Sequence, residues 1–546
     1  MPLLKLFLLS FLILSPCIVA IWPQPRVLET GSTALLLSPH FDIQLDIPNT
    51  PQDLQDAVSR ANSLLWSDKL ERLVPGRAAA DADAIANAPF LSALTTSVNA
   101  TVALKSITEE ARRAPMTERD EAYDLSIPTN GSLAFLRANS SLGFFRGLTT
   151  FEQLWYASGD ALYTLQAPMN ISDAPSYPYR GFMLDTARNF FPVPDIKRTL
   201  DAMSMVKMST FHWHVVDSQS FPLQIPGFRE VSAKGSYSSS SVYTPEDVKD
   251  IVDYAGARGI DVLVEIDTPG HTAIIGESHP DFVACPYATP WTNNANEPPA
   301  GQLRLASQKV TNFTQGLLSA VADMFPSGLM STGGDEVNMN CYAQDQDTQD
   351  ELKASGKTLA EALDVFNRTF MLLRSEMVLN YNATLGADTV VMVWISSENV
   401  AAVAEKGFRV VHSASDYFYL DCGAGEWLGA NGNANSWCDP FKTWQKATAY
   451  SFDPMANLTE AQAKLILGGQ QLLWTEQSSP ANLDSIVWPR AAASAEVFWT
   501  GPGGDVGSAL PRLHDVAFRM EKRGIRAIRL QPEWCALRPR ACDLTA

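Results

Sequence analysis

From Tyr179 onward the chain repeats one unit: an apolar strand, a polar loop, then a helix. The pattern predicts strands over residues 181–185, 210–217, 261–267, 328–333, 389–394, 409–413 and 471–476, with helices between them such as 245–258, 315–324 and 397–406. Strands apolar on both faces and separated by helices are parallel strands buried on both sides. The spacing suits a (β/α)₈ barrel better than an open sheet, because no Gly-x-Gly-x-x-Gly opens the first unit. Seven strands are legible rather than eight.

Polar residues gather where a barrel keeps its chemistry, at the C-terminal ends of the strands. Those ends carry Asp185, Asp217, Asp267, Asp335, Glu336, Trp394 and Glu476. A turn explains any one of them; it does not explain acids or tryptophan at nearly every strand end. In Thr332-Gly333-Gly334-Asp335-Glu336-Val337 two acids follow a Gly-Gly pair. Successive strand side chains diverge, so the two carboxylates hold different parts of a substrate. A mouth lined with carboxylates and flat rings suits a sugar: rings stack on its apolar face and carboxylates bind its hydroxyls.

The rest of the chain sets the context. Residues 1–20 read as a secretory signal peptide, with Lys5 the only early charge, an apolar run over 6–14 and Ala20 as cleavage residue. About 525 residues follow, enough for two domains. Residues 21–166 read as a smaller α/β domain. Its predicted strands lie at 34–37, 41–45, 121–125 and 133–136, with helices over 54–72 and from 150 to 155. Residues 167–178, rich in proline, read as a linker, and 179–546 as the barrel domain.

The formal charge is −19, or −20 once Lys5 leaves, and the acids are spread along the chain. That argues against nucleic acid and anionic membranes as partners, and no segment of the expected mature chain is long enough to span a bilayer. Six cysteines remain after Cys17 is removed: Cys285, Cys341, Cys422, Cys438, Cys535 and Cys542. An even number in a secreted chain suggests three disulfides, and none of the spacings is that of a zinc site. Eight sequons, at Asn99, Asn130, Asn139, Asn170, Asn312, Asn367, Asn382 and Asn457, fit passage through a glycosylating secretory route.

The ordered motifs resemble the family 20 glycoside hydrolases, the β-N-acetylhexosaminidases, in their secreted fungal form. They are Arg180-Gly181-Phe182-Met183-Leu184-Asp185-Thr186-Ala187-Arg188, Phe211-His212-Trp213-His214-Val215-Val216-Asp217, Glu265-Ile266-Asp267-Thr268-Pro269-Gly270-His271-Thr272, the Gly-Gly-Asp-Glu-Val run and Trp488-Pro489-Arg490-Ala491. Arg146-Gly147-Leu148-Thr149-Thr150-Phe151-Glu152 extends the likeness into the first domain. The resemblance implies a secreted, exo-acting enzyme of chitin or glycan degradation. It would remove terminal β-linked N-acetylglucosamine or N-acetylgalactosamine with retention. The substrate's own acetamide oxygen attacks the anomeric carbon and forms an oxazolinium ion, so no enzyme nucleophile, metal or cofactor is implied.

Residue by residue, the resemblance makes Glu336 the general acid/base and Asp335 the residue that holds the acetamide N–H. Asp217 and His271 support the acid/base. Arg180 grips the ring hydroxyls, Tyr419 the acetamide carbonyl, and Asp421 and Glu476 the outer hydroxyls. Trp394 and Trp474 are walls. His212 and His214 share a face, as metal ligands could, but the family makes that motif structural. The expected disulfides are Cys285–Cys341, Cys422–Cys438 and Cys535–Cys542. The compartment is extracellular, with a vacuole or lysosome-like organelle as the alternative, and relatives often form dimers.

Two departures stand out. Ser331 occupies a position where many relatives carry histidine. After the helix near 367–374, about ten residues expected to hold the fifth barrel strand and a pocket tryptophan are missing. The expected fold is therefore α/β: a C-terminal (β/α)₈ TIM-type barrel with its fifth strand deleted, preceded by the smaller α/β domain. Residues 377–381 would serve as a makeshift strand, or the barrel would stay open there. The competing function is an inactive or weakly active sugar-binding variant, because a barrel strand and one pocket tryptophan are missing. A conventional retaining glycosidase would need a further carboxylate as nucleophile, and a zinc protease its His-Glu-x-x-His, which does not occur.

Overall fold

A computed structural model describes residues 20–98, 103–113, 115–334, 336–370, 379, 385–386, 388–448 and 458–544. Six strands build the first sheet: β1 Val27–Leu45, β2 Phe90–Ser97, β3 Tyr123–Ile127, β4 Ala134–Ala138, β5 Tyr156–Ser158 and β6 Ala161–Asp173. Their order is β1-β2-β4-β3-β6-β5, and β1 also pairs with β6. β3 and β4 alternate buried and exposed residues, which is the signature of a sheet covered on one face. Helices Gln52–Asp68 and Ser141–Glu152 supply that cover.

Two local expectations are overturned. The helix expected from Thr150 begins at Ser141, because the Ser140 hydroxyl accepts from the Gly143 N–H at 2.8 Å and caps it. Thr150 lies in its last turn and bonds the Tyr123 hydroxyl at 2.6 Å. Residues 167–173, expected as linker, continue β6 and pair with both β1 and β3.

The second sheet is parallel. It contains β7 Tyr179–Asp185, β8 Thr210–Val216 and β9 Asp261–Ile266. A two-stranded excursion, β10 Val283–Ala284 and β11 Gln302–Leu303, follows β9. β12 Val390–Val393, β13 Arg409–His412 and β14 Ile466–Leu473 complete the order β12-β13-β14-β7-β8-β9. Almost every residue of these strands is buried, as a sheet wrapped by helices requires. Helix Pro245–Gly256 shows how the turns are punctuated: Thr244 and Asp247 form a reciprocal capping box.

The strand expected over 328–333 is reduced to a parallel bridge between Ser331 and Glu265 beside β9. Among the described residues no strand lies between that bridge and β12, and residues 377, 378, 380 and 381 of the expected makeshift strand lie outside the description. β14 begins five residues before its expected start and ends before Trp474; Gly468 and Gly469 hid its first half. The last strand therefore delivers Trp474 and Glu476 on a loop.

A buried ionic knot joins the two sheets. The Arg146 Nε and Arg180 Nη2 both donate to Glu121 Oε2, at 2.8 and 2.6 Å, and all three side chains are inaccessible. Arg146 also donates to the Gly259 carbonyl at 2.9 Å, which explains an arginine motif in a domain with no chemistry. Burial alone would raise the Glu121 pKa, but the Arg180 and Arg146 guanidiniums override it and hold it at about 2. A carboxyl whose folded pKa is depressed contributes stability above its unfolded pKa and loses it as pH falls toward the folded value. The unfolding midpoint should therefore drop as pH is lowered from about 4.5 toward 2, and drop less in Glu121→Gln. Equal pH dependence in the two proteins, read by circular dichroism melts, would refute this account.

Candidate active site

The loops at the C-terminal ends of the strands enclose a cavity of about 180 Å³. Its lining includes His271, Glu336, Trp394, Tyr419, Asp421, Trp474 and Glu476, seven of the residues expected from sequence. Asp217 lies directly beneath. Asp335 lies outside the described residues.

Glu336 is placed by backbone geometry. Gly333 and Gly334 have φ of 62° and 106°, and Glu336 itself sits at 55°. A Cβ on Gly333 would come within 1.9 Å of Asp267 Oδ1, so only glycine passes there. The same Asp267 oxygen accepts from the Gly334 N–H at 2.9 Å. A non-glycine residue held at positive φ is strained, and here the strain sits at the residue that faces the cavity.

Behind Glu336 runs a chain of charges. His271 Nε2 is 3.3 Å from Glu336 Oε2, and its Nδ1 is 3.0 Å from Asp217 Oδ1. The other Asp217 oxygen meets Arg188 Nη1 at 2.8 Å and His214 Nε2 at 2.8 Å. Burial would lower the His271 pKa, but Asp217, then the hydrogen bond to Glu336, hold it well above the usual range. Burial would raise Asp217, but Arg188 and His271 hold it well below the carboxylate range. The arrangement is a proton held on an imidazole against an oriented anion, with the second imidazole nitrogen aimed at a carboxylate in the cavity.

Arg180 does not belong to this site. It is the second residue of β7, about 16 Å of strand below Asp185. Its guanidinium is spent on Glu121, on the Lys207 carbonyl at 2.9 Å and on the Tyr177 carbonyl at 2.8 Å. The arginine at the cavity is Arg188, which follows the strand. Its Nε lies 3.1 Å from Glu297, which also lines the cavity, and its guanidinium lies 4.9 Å from the Trp474 ring. Arg188 stands in the quoted motif, three residues past a strand-ending acid, and that offset was the available signal. Glu297 was missed, since it comes from the loop between β10 and β11 and no periodicity marks it.

The opposite wall is aromatic. Trp394 packs edge-on to Trp437 at 5.6 Å, Tyr419 to Trp437 at 5.7 Å, and Trp474 lies 6.4 Å from Tyr419. Trp437 and Trp427, which sequence reading also missed, sit at the rim with 62% and 39% exposure. The Trp394 Nε1–H is buried and has no partner among the described residues, a donor facing a site for a polar ligand. Burial pushes Asp421 up to about 7, while burial, Glu297 and Asp421 raise Glu476 well above the ordinary range against the pull of Arg188. Such a pair, holding its protons to higher pH than usual, can donate to hydroxyls as well as accept from them.

The rim is stapled by Cys285–Cys341 and Cys422–Cys438, and the C-terminus by Cys535–Cys542. These are the three expected pairings. The groups of His, Asp and Glu close enough to hold a metal are His214, Asp217 and Asp267, and Asp217, His271 and Glu297. Their imidazole nitrogens are already engaged with carboxylates.

Comparison with known proteins agrees with this geometry. Residues 177–502 match the model of the glycosyl hydrolase family 20 catalytic domain, and 21–154 that of a beta-acetyl hexosaminidase like domain. The chain is 34% identical over 464 residues to a beta-hexosaminidase of Arthroderma benhamiae, covering 78% of this chain and 74% of that one. It is 36% identical over 449 residues to a chitooligosaccharidolytic beta-N-acetylglucosaminidase of Bombyx mori, covering 77% and 74%. The fold matches an exo beta-N-acetylglucosaminidase of Vibrio harveyi solved with N-acetylglucosamine, with a TM-score of 0.72 at 23% identity, over 94% of this chain and 78% of that one.

Proposed function

We propose a function that proceeds from one premise: this chain belongs to glycosyl hydrolase family 20. It is an exo-acting β-N-acetylhexosaminidase, a glycoside hydrolase that removes terminal non-reducing β-linked N-acetylglucosamine or N-acetylgalactosamine. The observation that carries this reading is the Asp217–His271–Glu336 chain opening into an aromatic-walled cavity. At about 180 Å³ the cavity is smaller than sites for drug-sized ligands and suits one sugar ring, as an exo-acting enzyme needs.

Glu336 donates its proton to the leaving oxygen and later takes one from water. His271, braced on Asp217, orients the Glu336 carboxyl. Asp335 holds the acetamide N–H while the acetamide oxygen closes on the anomeric carbon. Arg188, Asp421 and Glu476 take the sugar's hydroxyls; the rings of Trp394, Tyr419 and Trp474 surround it.

Residues 1–20 act as the signal peptide and the protein is secreted. The four sequons whose side chains are described, at Asn130, Asn139, Asn170 and Asn312, are all exposed, which supports glycosylation. Among the described residues no helix is long and apolar enough to cross a membrane. A homodimer is the expected assembly, read by sedimentation.

The test is a pair of aryl glycosides. The enzyme should cleave an aryl β-N-acetylglucosaminide at least about a hundredfold faster than the matching β-glucoside, which lacks the acetamide nucleophile. Comparable rates would sink the substrate-assisted mechanism.

A further inference from the structure

Beneath the site the barrel interior holds a column of polar side chains. The Tyr179 hydroxyl donates to Gln470 Oε1 at 2.7 Å, and Gln470 Nε2 lies 3.1 Å from His212 Nδ1. His212 Nε2 is 3.0 Å from Glu265 Oε2, and the Ser331 hydroxyl donates to that same oxygen. Glu265 Oε1 is 2.6 Å from His214 Nδ1, and His214 Nε2 is 2.8 Å from Asp217 Oδ2. His214 and Glu265 are both fully buried.

A ring with a carboxylate oxygen on each nitrogen satisfies both only by donating from both, as an imidazolium. Burial opposes that charge, but the bonds to Asp217 and Glu265 hold the His214 pKa at about 10. Several other groups face it. Arg188 Nη1, from the loop after β7, stands 3.4 Å from His214 Nε2, and Asp185, the last residue of β7, lies behind Arg188. Asp267 follows β9, and the edge-on Trp474 ring, 4.8 Å away, follows β14. The Asp217 oxygen thus carries two cations, which leaves its other oxygen fixed on His271.

We infer that His214 and Glu265 are positioning residues for the hydrolysis: Glu265 keeps His214 doubly protonated, and His214 keeps Asp217 ionised and aligned on His271, so the charge at the barrel centre sets how firmly Glu336 holds its proton. This extends the supporting chain two residues inward from Asp217, and it rests on the glycosidase reading above. In this chain Ser331 completes the anchoring of Glu265.

The test compares full-length wild type, His214→Gln and Glu265→Gln, reading kcat and KM against pH with an aryl β-N-acetylglucosaminide. His214→Gln removes a buried positive charge, so Glu336 should keep its proton to higher pH and the alkaline limb of kcat should move up. Glu265→Gln takes away the group that keeps His214 doubly protonated, so the ring becomes neutral, its positive charge beside Asp217 is lost and the limb should move up in that variant too. Each shift should be roughly half a unit or more, with kcat down about tenfold and KM nearly unchanged. A purely structural role would lower kcat at every pH and leave the limb in place, and that result overturns the inference. Nitrogen-15 spectra of histidine-labelled wild type should show the His214 ring protonated on both nitrogens at pH 8, its signal identified by loss in His214→Gln. A neutral ring there also overturns it, independently of turnover. A wild-type enzyme inert toward the glycoside would instead count against the glycosidase reading.

Discussion

Glu336→Gln should fold normally and lose about a thousandfold in kcat, the usual worth of a positioned general acid. The change is nearly isosteric, and Glu336 sits at the end of its hydrogen-bond chain, with His271 Nε2 at 3.3 Å. An amide still fits beside that imidazole but cannot deliver a proton. The loss should depend on the leaving group. An activated phenolate departs with little help, whereas a sugar alkoxide needs full protonation, so chito-oligosaccharide cleavage should suffer more than aryl glycoside cleavage. Near-wild-type turnover on both substrates would remove Glu336 from the mechanism. Asp335→Asn should also be severely impaired, since it deletes the charge that stabilises the oxazolinium ion.

The second large effect separates two arginines eight residues apart. Arg188→Met should lower kcat/KM by about a thousandfold while the protein stays folded. It removes a cation that Asp217, Glu297 and Asp185 share at the cavity and leaves the acids to repel one another. Arg180→Met should do the reverse. It strips one of two guanidiniums from the buried Glu121 carboxylate and should cost about 3 kcal/mol of stability. Its kcat/KM per folded molecule should stay within a few-fold of wild type. Denaturant melts and steady-state kinetics on both variants read the contrast. Loss of activity without loss of stability in Arg180→Met would return that residue to the sugar.

Much of this organisation was legible in the chain. Periodicity announced the parallel strands, because a strand buried on both faces cannot disguise its apolar run. Acids at strand ends pointed to the barrel mouth, and six of the strands expected from residue 179 onward are strands in the structure. Close spacing led to Cys422–Cys438 and Cys535–Cys542, which close short loops. Where reading failed, a local signal was masked. Glycines 468 and 469 hid the first half of β14, and the Ser140 cap outweighed the cap-like Thr150. The stretch 167–178 looked like a linker because of its prolines, but for residues 167–173 β1 and β3 supply partners that sequence cannot see.

By itself the sequence determined the fold class, the positions of six barrel strands and the cysteines to be paired, since each depends on local pattern or on a motif in one stretch. The tertiary structure alone decided which charges meet. Arg180 and Arg188 flank the same strand in the same motif, and only the burial of one end against Glu121 and the opening of the other into a cavity tells them apart. Glu297, Trp427 and Trp437 join the site from loops with no period to betray them. The pairing of His214 with Glu265 joins β8 to β9, 51 residues apart in the chain, and follows from the register of the two strands. Electrostatic coupling depends on distance through space, and the chain order carries no measure of that distance until the barrel has formed.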